Sequence, residues 1–127
     1  MYAAALDERI RVAVVAAYFN DRAAILDSSE PFGESDWRFP KSLSVFQDDV
    51  LAALICPRPL QIQAGDHDQL FPIAGVRKTV PAVRGIYERR GVSDRFSFVE
   101  FVGRHEFNGP SAWSFIRTSF AALPREH

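Results

Sequence analysis

Three apolar runs, separated by stretches of helical periodicity, predict an α/β fold of three layers: a mostly parallel sheet of about three strands with flanking helices. The first run is continuous rather than alternating, as in a strand covered on both faces. Strand and helix alternate along the chain, so right-handed crossovers return each strand in the same direction.

The first strand is read from Arg11 to Phe19 (RVAVVAAYF), a valine-rich run. Residues Asp21 to Lys41 hold Pro31, Gly33 and Pro40 among scattered charges, and read as an irregular surface excursion. Ser44 with Gln47 three positions on has the form of a capping box; Val50, Leu51 and Leu54 continue at helical spacing until Pro57 stops the helix. Leu60 to Ala64 is the second buried strand, ending at Gly65 and an acidic cluster. Pro72 opens a helix whose apolar face is Val76, Val80, Val83 and Tyr87. Pro81 and Gly85 interrupt it, and an interior proline costs about 3 kcal/mol, so a kink or a helix in two pieces is expected. Phe96 to Val102 is the third strand. Pro110 then suits a first helical turn, with Trp113, Ile116, Phe120 and Leu123 as the buried stripe of a final helix.

Composition bounds the function. With 127 residues, 47% hydrophobic, 13% aromatic and a net charge of −1, the chain reads as a single globular domain, 1–127. Near-neutral charge without a Lys/Arg cluster speaks against nucleic acid or an anionic membrane as partner, since both need concentrated positive charge. No apolar run approaches the roughly 20 residues of a membrane span, and no basic, cleavable leader precedes one. The lone Cys56 has no partner for an internal disulfide, which fits a reducing, cytoplasmic setting.

In an open parallel sheet, the loops leaving the carboxyl ends of the strands form the ligand crevice. Two such loops carry chemistry: Gly65 to Pro72 (GDHDQLFP) and Gly103 to Gly109 (GRHEFNG). Paired strands stand about 4.8 Å apart, so an Asp of the first loop can meet a His of the second. A carboxylate on imidazole Nδ1 leaves Nε2 free to take a hydroxyl proton. Asp68 and His105 are the candidates. Asp66 is the alternative acid, His67 reads as solvent-exposed, and Glu106 as a structural acceptor within the loop. Asp68 could also serve only to cap the helix at Pro72. Asp66, His67, Asp68 and His105 are together plausible metal-ligand types, although clustering alone supports that reading.

Two further segments accompany these loops: Ala4 to Ile10 (AALDERI) and Ala53 to Leu60 (ALICPRPL). Together with Gly65-x-x-Asp68-x-x-Phe71-Pro72 and Gly103-x-His105-Glu106-Phe107 they resemble the C-terminal half of dienelactone hydrolase and acetyl xylan esterase-like α/β-hydrolases. The resemblance runs from the first residues to beyond Trp113. It implies the C-terminal part of an α/β-hydrolase fold acting on a small ester, with Asp68 as triad acid and His105 as base, and no metal or organic cofactor. Prolyl oligopeptidase-like peptidases share this Asp and His layout, so ester and peptide both stand as substrates, with the Phe-Pro and His-Glu-Phe sequences favouring esters.

The nucleophile motif of such enzymes, Gly-x-Ser-x-Gly on a strand-to-helix turn, is absent from the sequence. Gly33-Glu34-Ser35-Asp36-Trp37 begins like it but lacks the second glycine and follows no buried strand. By the resemblance, the nucleophile turn lies upstream of Tyr2 to Ile10, which becomes the end of the helix that follows it. The expectation is a partial domain, inactive alone, with an open sheet edge that favours self-association or a complementing N-terminal half. A non-catalytic α/β binding module and one half of a split hydrolase are the competing readings.

Overall fold

A computed structural model of the chain describes residues 1–27 and 47–124. Three parallel strands, β1 (Ala13–Ala16), β2 (Leu60–Gly65) and β3 (Phe96–Phe101), form one sheet in the order β1-β2-β3. Helix α1 (Tyr2–Leu6) precedes β1; α2 (Arg22–Asp27) and α3 (Asp48–Ala53) lie between β1 and β2. Helix α4 (Ile73–Arg89) and a 3-10 turn (Ser93–Arg95) link β2 to β3, and α5 (Gly109–Ala122) follows β3. This is the α/β arrangement expected from the alternation of strand and helix patterns.

The core explains the register. Leu60, Ile62 and Ala64 of β2 join Val15, Ala52 and Ile55 with the valine face of α4, Val76, Val80 and Val83, and with Tyr87. Leu60 stands beside both Ala13 and Phe96, so all three strands begin at one level; β2 and β3 end together at Gly65 and Phe101, while β1 ends beside Gln63. The Tyr87 hydroxyl, inside this core, donates to the Arg58 carbonyl at 2.7 Å. Burial pushes that phenol well above its ordinary range.

The structure corrects several expectations. Strand β1 is shorter than the apolar run because Ala17 turns into the left-handed region at φ 51°, although its N–H still donates to the Gln63 carbonyl. The excursion after it begins with a helix, α2, held by Arg22, whose guanidinium pairs with Asp48 Oδ2 at 2.7 Å; both side chains are buried. Ser44 lies outside the described residues. Gln47 is extended, makes no capping bond and precedes α3, whose first turn instead carries Asp48 and Asp49 at the positive end of the helix dipole.

Helix α4 passes through Pro81 as one element rather than two. Pro81 and Arg77, the residue whose carbonyl it cannot serve, are both exposed, so water can take that acceptor. In α5, Trp113 and Phe120 are 58% and 51% exposed instead of buried, while Ala112 and Ser119 face inward. Among the described residues, no helix is long and apolar enough to cross a membrane.

Candidate active site

The level register of β2 and β3 brings their exit loops side by side. The Asp66 N–H donates to the Phe101 carbonyl at 3.0 Å and the His67 N–H to the Gly103 carbonyl at 2.9 Å, prolonging the strand pairing into the loops. Gly65 makes this possible: a Cβ there would lie 2.3 Å from the Arg104 carbonyl oxygen and 2.5 Å from that of Gly103. The glycine at the head of the acid loop is therefore required by the close passage of the histidine loop.

Asp68 and His105 meet. His105 Nδ1 lies 3.0 Å from Asp68 Oδ2. Asp68 Oδ1 accepts the N–H groups of Leu70 at 2.8 Å and Phe71 at 2.9 Å, so the carboxylate is aimed by its own loop. Asp68 does not cap the helix that starts at Ile73, which has no side-chain cap bond; the two carboxylate oxygens are divided between the Asp68 loop and the histidine. The carboxylate side chain is 1% exposed and the imidazole 42%, giving a buried orienting group and an accessible ring. The Phe71 ring stacks on the imidazole with centroids 5.5 Å apart and planes 24° off parallel.

Asp66 does not reach His105. Its Oδ1 accepts the Gly103 N–H at 3.0 Å and lies 2.6 Å from Nδ1 of His67, a residue exposed on the loop surface. The Gly103 bond first, and His67 after it, hold this carboxyl below its ordinary range. Glu106 Oε1 accepts the Arg104 N–H at 2.9 Å, as expected for a loop-internal acceptor. Among the described residues no three His, Cys, Asp or Glu side chains come together to hold a metal ion, so the four-residue ligand set does not assemble. Ser35 lies outside the described residues.

His67, Asp68, Gln69, Val102, Gly103 and Arg104 line an open cleft of about 550 Å³ beside the pair. Phe71, whose ring stacks on His105, also lies against Tyr18 with centroids 5.7 Å apart. Beneath them Arg22 sits 4.6 Å from the Tyr18 centroid and 5.2 Å from that of Phe71. Asp48 anchors that cation, and also accepts the Asn20 N–H at 3.0 Å. Burial raises the Asp48 carboxyl from its ordinary range, with Arg22 opposing the shift. This support was not legible in the sequence, where Arg22 and Asp48 are 26 residues apart and belong to no motif.

Catalysis by such a pair requires a hydroxyl at His105 Nε2. Among the described residues none bonds there; the ring's hydrogen bond is the one to Asp68.

No protein-family model matches the chain, and no curated protein does. Two solved structures do. A methylesterase aligns with a TM-score of 0.46 at 25% identity, over 61% of this chain and 17% of its own. A carbohydrate esterase family 15 glucuronoyl esterase from Caldicellulosiruptor kristjansonii aligns with a TM-score of 0.70 at 22% identity, over 96% of this chain. The chain spans 40% of the length of that esterase. Over nearly all of its own length, the chain therefore has an α/β fold shared with part of an esterase.

Proposed function

We propose that the chain is the acid- and base-bearing part of a serine hydrolase acting on carboxylic esters, of the dienelactone hydrolase and acetyl xylan esterase-like kind, with Asp68 and His105 as two members of a triad. The observation that carries this is the 3.0 Å approach of His105 Nδ1 to Asp68 Oδ2 at the carboxyl ends of paired strands. The likeness of fold to an esterase supports it at the level of the fold.

In the proposed reaction Asp68 accepts a hydrogen bond from Nδ1–H and fixes the tautomer, so that Nε2 carries the free lone pair. Nε2 takes the proton of a serine hydroxyl as its oxygen attacks the ester carbonyl, then returns it to the departing alkoxide. An acyl-enzyme remains. Water enters, gives its proton to Nε2, and adds to the acyl carbon; collapse releases the acid and expels the serine oxygen, to which Nε2 returns the proton. The serine and the oxyanion donors come from a nucleophile-bearing half outside these 127 residues, because the sequence holds no Gly-x-Ser-x-Gly. Among the described residues β1 pairs on one side only, with β2. Its other edge would receive that half, or in its absence a second copy of the chain.

Hydrolysis of p-nitrophenyl acetate tests the reading. The chain alone gives no turnover; combined with a nucleophile-bearing half, it gives turnover that His105→Ala abolishes. Turnover by the chain alone that His105→Ala removes would place a nucleophile within it, with Ser35 the first to be replaced. Activity of the combined protein that survives His105→Ala would overturn the catalytic assignment.

A further inference from the structure

Gln63 occupies the centre of the middle strand, 1% exposed, where an apolar side chain would need no partners. A buried amide without hydrogen bonds is costly, so its partners show what it does. Gln63 Oε1 accepts the Asn108 N–H at 3.1 Å, and Nε2 lies 3.0 Å from the Asn108 carbonyl oxygen. Both backbone groups of one residue are thus held by one side chain, as a neighbouring strand would hold them. Nε2 also lies 3.0 Å from Ser111 Oγ and 2.8 Å from Gln61 Oε1.

Asn108 is three residues beyond His105 and is the cap of α5, its Oδ1 accepting the Ser111 N–H at 3.1 Å. At the other end of the same loop, Asp66 holds the Gly103 N–H, two residues before His105. The imidazole is 42% exposed, so no enclosing cavity keeps it in place. Its position depends on Asp68, the Phe71 ring and these two loop anchors.

We propose that Gln63 is the positioning residue of His105: by clasping Asn108 it fixes the exit of the histidine loop and sets the imidazole on Asp68. The proposal rests on the reading of Asp68 and His105 as a catalytic pair. Gln63 touches no substrate; it acts through the loop.

Nitrogen-15 NMR of the imidazole side chains in the full 127-residue chain tests this. In the wild type, His105 is the Nδ1–H tautomer with a hydrogen-bonded proton resonance, and Asp68→Asn abolishes it. Gln63→Met, close in shape but without the amide, loses that resonance, whereas Tyr87→Phe, which removes a distant buried hydrogen bond, keeps it. Where Gln63→Met does not fold, Gln63→Glu retains an acceptor for the Asn108 N–H, and its His105 proton exchanges faster than in the wild type. A wild-type resonance that persists unchanged in the Gln63 variants overturns the role of Gln63 alone. Absence of the resonance from the wild-type chain overturns the Asp68 and His105 pair and the role of Gln63 with it.

Discussion

Oδ2 of Asp68 faces His105 Nδ1 at 3.0 Å while Oδ1 is held by the N–H groups of Leu70 and Phe71, so the two oxygens of one buried carboxylate do different work. In Asp68→Asn the side-chain oxygen can keep the two backbone donors, and the amide nitrogen then faces the ring. An NH₂ group only donates, so Nδ1 must become an acceptor and the proton moves to Nε2. The fold survives with a small change in urea midpoint. If the proposed function holds, activity of the chain combined with a nucleophile-bearing half falls by about 10⁴-fold, the cost of the wrong tautomer in serine hydrolysis. Steady-state kinetics of the combined protein check it, and retention of more than a tenth of kcat would count against the assignment.

Gly65→Ala is expected to damage the site through the backbone. The added methyl would stand 2.3 Å and 2.5 Å from carbonyl oxygens of Arg104 and Gly103, atoms that cannot rotate away. The histidine loop must shift, which weakens the bonds from His67 N–H to Gly103 and from Gly103 N–H to Asp66. Overpacking of this kind costs about 1–3 kcal/mol. Urea denaturation reads that loss, and the His105 imidazole spectrum reads the displacement. A variant with wild-type stability and spectrum would show that the loops yield freely.

The loops were legible in the sequence because a parallel strand must deliver its exit to one end of the sheet, and GDHD and GRHE each follow an apolar run. The valine face of α4 was legible for the same reason, since burial at helical spacing needs only local information. What stayed hidden depended on partners distant in the chain. Trp113 and Phe120 have the spacing of a buried stripe, yet Ala112 and Ser119 are the residues that α5 buries. Gln61 and Gln63 gave a signal, two amides alternating in an otherwise apolar strand, whose meaning needed the position of Asn108. Arg22 and Asp48 gave none.

Arg58 joins the two upstream segments of the sequence resemblance. From the turn before β2 its guanidinium donates to the carbonyls of Ala4 at 2.7 Å, Asp7 at 3.0 Å and Ile10 at 2.8 Å, serving the end of α1 and the turn into β1. The planar fork reaches three acceptors at once, which a lysine ammonium on its flexible stem does not reproduce. Arg58→Lys is expected to lower stability by about 1–2 kcal/mol, and Arg58→Ala by about 2–3 kcal/mol, as part-buried carbonyls lose a charged donor. Chemical denaturation of both variants checks this; equal midpoints for Arg58→Lys and wild type would show that the fork geometry is dispensable.

Asp66 makes the histidine loop sensitive to acid. Its carboxyl is held below its ordinary value of 3.8, first by the Gly103 N–H and then by His67. A carboxyl with a lowered folded-state pKa stabilises the fold above its unfolded value, and that contribution is lost as pH falls through the folded value. The window therefore lies below pH 3.8. Followed by NMR, the Gly103 amide proton should move upfield in that window as its acceptor is protonated, and Asp66→Asn should remove the inflection. An inflection above pH 3.8, or one that persists in Asp66→Asn, would assign the titration to another carboxyl and leave the Asp66 bond without a role in anchoring the loop.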